Sequence, residues 1–104
     1  MPQFSISYFG GDQPASPEQG RVHFAKYKQW LADMGDAVVS PMNPIKDIAT
    51  ISPKGEVGVG SASGMTGYTI IEVDSIETAV KHAQECPFLD LNGTLEVGEL
   101  VKIN

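Results

Sequence analysis

His23 stands in the run Arg21-Val22-His23-Phe24-Ala25-Lys26-Tyr27-Lys28-Gln29-Trp30-Leu31-Ala32-Asp33-Met34-Gly35. In a helix, residues three and four apart share a side, so His23, Tyr27, Trp30 and Met34 form one row. The row joins an imidazole to a phenol, an indole and a thioether. An imidazole in a semi-dry setting of that kind can titrate near neutrality and can take or give a proton, so His23 is the leading candidate for general acid/base chemistry. The plain alternative is a half-buried ring packed on Tyr27 and bonded to a backbone carbonyl. Tyr27 and Trp30 are equally ordinary as core residues; beside His23 they are candidate walls of a pocket.

The positioning elements follow from local signals. Phe4-Ser5-Ile6-Ser7-Tyr8-Phe9 alternates as a strand with Phe4, Ile6 and Tyr8 on one face, and Gly10-Gly11-Asp12 breaks it. Ser16 is a helix cap, Pro17 suits the first helical position, and Gln19 completes a capping box. The first helix is therefore expected from about Pro17 to Met34, with Gly35 ending it in a left-handed conformation. Asp36 to Met42 reads as a second strand through Val38 and Val39, stopped by Pro41 and Pro44. A weaker strand is expected at Ile48-Ala49-Thr50-Ile51. The glycine-crowded stretch from Ser52 to Gly67 reads as a hairpin, with a short ribbon around Val57 and Val59. Tyr68-Thr69-Ile70-Ile71-Glu72-Val73 is a strand. Asp74, with Glu77 three residues on, is expected to cap a second helix through Ile76, Ala79, Val80 and Ala83, which Pro87 closes. Thr94 to Ile103 alternates as a last strand, with Leu95, Val97, Val101 and Ile103 facing one way.

That order predicts an α+β sandwich of the ferredoxin-like kind, with two helices on one face of a mainly antiparallel sheet. Phe9, Val39, Ile71 and Val73 are assigned to the other face. Such a surface would be covered by a second copy packing sheet to sheet, so a homodimer is expected.

The 104 residues make one domain with a single core. Seven Lys and Arg against thirteen Asp and Glu leave a formal charge of -6, and the basic residues are scattered singly from Arg21 to Lys102. No cationic patch is available for phosphate backbones, which argues against nucleic acid. No stretch approaches the roughly 20 apolar residues of a membrane span. Met1-Pro2-Gln3 starts no secretion signal and Cys86 has no partner cysteine, so a reducing cytoplasm is expected.

Other chemical readings are weaker. The glycine-rich stretch is followed by a strand, whereas a phosphate loop requires a helix N-terminus. Gly10-Gly11 does precede a helix but lacks a Gly-Lys-Ser/Thr ending, and Asp12 brings the wrong charge. His82 and Cys86 lie four apart on the second helix, but two ligands do not close a metal site. No metal or cofactor is expected. Ser40 either fills the second strand or points a hydroxyl into the cavity beside Met42.

The chain resembles the YCII-related, or DGPF-type, family of ferredoxin-like proteins that pair into dimeric α+β barrels. The resemblance rests on His23 followed by Trp30-Leu31 and Gly35, on Ser40-Pro41-Met42, and on Met65-Thr66-Gly67-Tyr68-Thr69-Ile70-Ile71-Glu72-Val73-Asp74-Ser75. It continues through Glu85-Cys86-Pro87 into Gly93-Thr94-Leu95-Glu96-Val97. Where many relatives carry Asp-Gly-Pro-Phe, this chain has Gly58-Val59-Gly60-Ser61-Ala62-Ser63-Gly64, so no role of that acidic turn carries over. The resemblance implies a His–Asp acid/base pair, with His23 at the histidine position and Asp33 or Asp36 as the acid.

The expectation is a cofactor-free enzyme of lyase or hydrolase type acting on a small organic acid or aromatic compound. Its pocket would lie between the first helix and the sheet, shaped by Tyr27, Trp30, Ser40 and Met42. The rivals are a binding or regulatory module that holds the same ligand unchanged, and a cofactor-free oxygenase on the same fold.

Overall fold

The computed structural model describes residues 1–103. The elements are β1 (Gln3–Gly10), α1 (Pro17–Met34), a 3-10 turn (Gly35–Ala37), β2 (Val38–Pro44), β3 (Ala49–Ile51), β4 (Val57–Val59), β5 (Met65–Glu72), α2 (Ile76–Gln84), a second 3-10 turn (Pro87–Leu91) and β6 (Gly93–Glu99). Four strands form one antiparallel sheet in the order β2-β5-β1-β6, while β3 and β4 pair separately as a ribbon. The result is a ferredoxin-like α+β fold with a hairpin inserted between its second and third sheet strands.

Helix α1 begins as its local chemistry dictates. The Ser16 hydroxyl accepts the Gln19 N–H at 3.1 Å, and the Gln19 side-chain oxygen accepts the Ala15 N–H at 3.1 Å. At the other end Gly35 takes φ 55°, a conformation that glycine enters without a Cβ clash. The cap of α2 is Ser75 rather than Asp74: the Ser75 hydroxyl accepts the Thr78 N–H at 3.2 Å. Asp74 sits one residue too early to reach a helix N–H. Its carboxylate accepts from the hydroxyls of Thr78 (2.6 Å) and Ser75 (3.3 Å) instead, which holds it below the ordinary carboxylate range.

Alternation along β1 and β5 builds one buried face, with Phe4, Ile6 and Tyr8 beside Thr69 and Ile71. Tyr27, Trp30 and Met34 of α1 and Ala79 and Ala83 of α2 pack onto it, so both helices cover the same side. Trp30 joins them, its indole N–H donating to the His82 carbonyl at 2.8 Å. Ile71 and Val73 belong to this core, at 0% and 6% exposure, and not to the open face assigned from sequence. Their register explains it, since Ile71 pairs with Phe4. The open face carries Ser5, Ser7 and Phe9 of β1 against Tyr68 and Ile70 of β5.

Two strand ends differ from expectation. Strand β2 runs through Pro41 to Pro44 because it lies at the sheet edge and its pairing shifts register between Ser40 and Asn43. A proline there removes no essential ladder bond. Strand β6 stops at Glu99, opposite Phe4; one more bond, from the Leu100 N–H to the Gln3 carbonyl at 2.8 Å, reaches the first residue of β1, beyond which that strand offers no partner. Val101 and Ile103 therefore stand exposed despite their alternation.

Candidate functional site

Between α1 and the β2–β5 side of the sheet lies a cavity of ≈ 210 Å³. It takes His23, Phe24 and Tyr27 from α1, Tyr8 from β1, Met42, Asn43 and Pro44 from β2, Thr66 and Gly67 from β5, and Phe88 from the second 3-10 turn. The walls are largely aromatic and aliphatic. A dry cavity of roughly 150 Å³ accommodates benzene, so this one has room for a single ring with a few substituents.

Glycines bring these walls together. A Cβ on Gly67 would lie 2.9 Å from the Asn43 carbonyl oxygen, so only glycine lets β5 approach β2 this closely. A Cβ on Gly93 would lie 2.2 Å from the Phe88 ring. Gly93→Ala is therefore expected to push that ring into the cavity and to cost about 1–3 kcal/mol through overpacking. Thermal unfolding should show it as a drop of about 4–8 °C per kcal/mol for a chain of this size. An unchanged midpoint would mean that Phe88 is free to turn aside.

Beneath the cavity the hydroxyls of Tyr8, Tyr27 and Thr69 hydrogen-bond one another, with Tyr27 and Thr69 3.1 Å apart. Thr69 donates its proton to the Pro41 carbonyl at 2.7 Å, which ties the irregular edge strand to the sheet. The two phenols are left to donate within the trio. Burial pushes both above the ordinary tyrosine range, so the network is neutral at physiological pH. Tyr8 also packs against Phe88 and Tyr27 against Trp30, with ring centroids 5.3 and 5.4 Å apart. The imidazole of His23 is no part of this network.

Of the residues singled out from sequence, His23, Tyr27 and Met42 meet at the cavity. His23 is half-buried. Trp30 lies deeper in the core behind Tyr27, and Ser40 acts one step away. Its hydroxyl accepts from the Asn43 amide at 2.9 Å while that amide also donates to the Tyr68 carbonyl at 3.2 Å, fixing a cavity side chain. Asp33 and Asp36 do not join His23 within the chain. A helix rises about 1.5 Å per residue, so Asp33 lies about 15 Å along the axis from His23. Asp33 instead accepts from the Gln29 amide at 2.7 Å on the exposed side of α1. Asp36 occupies the far 3-10 turn, in a groove with Glu72 and Asp74. The acids that do share a groove with His23 are Glu18 and Asp90, along with Lys26.

Sequence reasoning missed Phe24, Asn43, Thr66, Phe88 and the pairing of Tyr8 with Thr69. Only Tyr8 and Thr69 carried a signal, since both fall on the inward phase of their strands. His82 and Cys86 gather no third ligand: among the described residues no group of three or more His, Cys, Asp or Glu could hold a metal.

Cys86 is 2% exposed, and burial pushes its thiol from 9.0 up to about 11. The unfolded chain then loses protons at lower pH than the folded one, for Cys86 as for Tyr8 and Tyr27. Their contribution to stability is complete below about pH 9 and is lost as pH rises through the folded values. The urea midpoint is expected to fall above about pH 9, and Cys86→Ala to move the onset upward toward the tyrosine range. A midpoint flat from pH 9 to 11 would show that the thiol is not shielded.

No family model matches the chain, and no curated protein matches it. Among solved structures it is similar to 5-chloro-2-hydroxyhydroquinone dehydrochlorinase from Burkholderia phenoliruptrix AC1100, in complex with 2,5-dihydroxybenzoquinone. The TM-score is 0.54 at 16% identity, covering 95% of this chain and 93% of the other. At that identity the likeness establishes the architecture, and the chain has the ferredoxin-like α+β fold of that enzyme.

Proposed function

We propose that the protein is a small-molecule enzyme of lyase or hydrolase type, with His23 as general acid/base toward a one-ring, mainly apolar compound. The observation that carries this reading is a titratable imidazole on the wall of an otherwise largely apolar cavity of ring size. The dehydrochlorinase neighbour gives support, since it is a lyase whose ligand, a dihydroxybenzoquinone, is a single substituted ring. In an elimination the neutral imidazole takes a proton from the substrate. The electron pair left behind forms the new double bond, and the leaving group departs with its bonding pair. The aromatic walls hold the ring in place for the proton transfer.

Asp33 and Asp36 are not needed for the base in this reading; Asp90 and Glu18 are the acids in its groove. The working form is a homodimer joined through the open face of the sheet, where Phe9, Tyr68 and Ile70 are half-buried. The setting is a reducing cytoplasm, and neither nucleic acid nor membrane is a partner. Among the described residues no helix is long and apolar enough to cross a membrane.

The test is a thermal-shift screen of substituted phenols, quinones and aromatic acids, followed by product analysis and oxygen uptake for each binder. A ligand that binds the folded state alone raises the midpoint by mass action. Binding with consumption, lost in His23→Gln, supports the enzyme. Binding without consumption supports the ligand-binding module, and oxygen uptake supports the oxygenase.

A further inference from the structure

We infer that the cavity selects uncharged rings over aromatic anions, which narrows the substrate class of the proposed function and rests on it. Among the described residues the walls carry five polar side chains, Tyr8, His23, Tyr27, Asn43 and Thr66, and no lysine, arginine or acid. Apart from His23, none has a side-chain proton free for a ligand. The Asn43 amide donates to the Ser40 hydroxyl at 2.9 Å and to the Tyr68 carbonyl at 3.2 Å, which commits both of its protons. Thr66 donates its one to the Tyr8 carbonyl at 3.4 Å. Beneath them Thr69 donates to the Pro41 carbonyl, so the phenol protons of Tyr8 and Tyr27 must serve every contact of the hydroxyl trio. Two protons for three contacts leave the trio short of donors. Either phenol reaches a ligand only by giving up a bond it already makes.

His23 does not change this balance. In the proposed reaction its imidazole is the neutral, proton-taking form, so it brings no charge to the wall. An anionic substituent inside the cavity therefore leaves water and finds neither a cation nor a free side-chain donor. A carbonyl or amide group loses far less on the same transfer. The surroundings offer an anion no better site. The groove that shares His23 sets one cation, Lys26, against two carboxylates, Glu18 and Asp90. A charge projecting past the imidazole meets net negative potential there, and the chain's net charge of -6 acts in the same direction. Substrates with a carboxylate on the ring are thus disfavoured, and neutral ketones, amides, quinones and un-ionised phenols are the class that fits.

Acetophenone, benzamide and benzoate test this, because they share a ring and nearly one shape and differ in the charge of one substituent. The full chain is titrated with each, and NMR chemical shifts of the cavity residues report both the place and the affinity of binding. The ketone and the amide are expected to bind within a few-fold of each other, and benzoate about 10-fold or more weakly. Met42→Lys puts a cation at an exposed position of the wall and is expected to close most of that gap by strengthening benzoate. Glu18→Gln with Asp90→Asn removes the acids of the groove and should leave a clear gap. Benzoate bound by wild type as tightly as acetophenone overturns the neutral preference and leaves the enzyme reading standing. A gap unchanged in a folded Met42→Lys, or abolished by the groove variant alone, also overturns it, because the uncharged wall would then not be its cause. Cavity shifts with none of the three would instead overturn the cavity as a ring site, and the proposed function with it.

Discussion

His23→Gln is expected to lower turnover of a cavity-bound substrate by about 10²–10⁴-fold, the usual share of a positioned acid/base group. Glutamine keeps a polar, hydrogen-bonding side chain of similar reach, so the cavity should still bind the ring, but it cannot shuttle a proton near neutral pH. The loss should fall on kcat with KM nearly unchanged, the signature of an interaction made chiefly in the transition state. Asp33→Asn and Asp36→Asn provide the counter-test. Both lie toward the far end of α1 or beyond it, away from the cavity, and each should leave kcat within a few-fold of wild type. If His23→Gln retained wild-type turnover, His23 would be a wall residue and the chemistry would have to be sought elsewhere in the cavity. If either aspartate variant lost it, a second chain would have to bring that acid to the site.

That contrast marks where a sequence is legible. The ends of α1 were readable because their determinants are local: Ser16, Pro17 and Gln19 lie within four residues, and Gly35 needs only its own backbone freedom. The row His23-Tyr27-Trp30-Met34 was readable because helical spacing is local too, and three of its members are buried. The acid partner of His23 was not, because Asp33 and Asp36 are too far along the chain to share its helical face, and only the fold or a second copy could bring either one to the ring. The hydroxyl network joins residues 19, 42 and 61 positions apart, and Phe88 reaches the cavity from a turn beyond α2. No periodicity encodes such meetings; they follow from strand order. Pro41 shows the same limit. Proline reads as a strand breaker until its strand is known to lie at an edge.

The largest expected effect on stability comes from Trp30. Its indole is 6% exposed, packs on Tyr27, and donates to the last turn of α2 through the His82 carbonyl at 2.8 Å. Among the described residues it is the core side chain that both packs between the helices and bonds across them. Trp30→Ala should cost about 3–5 kcal/mol, a large part of the 5–15 kcal/mol that holds a domain of this class together. Trp30→Phe separates the two contributions. It keeps most of the apolar volume and loses the indole hydrogen bond, while the His82 carbonyl still accepts the Glu85 N–H at 3.2 Å, so the cost is about 0.5–1.5 kcal/mol. Urea unfolding should rank the midpoints wild type, Trp30→Phe, Trp30→Ala, with similar slopes if the unfolded chains are equally open. The cavity should follow the same order, because Tyr27 is held from behind by this indole and forms part of the cavity wall. Ligand binding that survives in Trp30→Phe but fails in Trp30→Ala would place ring packing, rather than the hydrogen bond, behind the site. An alanine variant as stable as wild type would mean that the two helices are held to the sheet independently and that Trp30 does not join them.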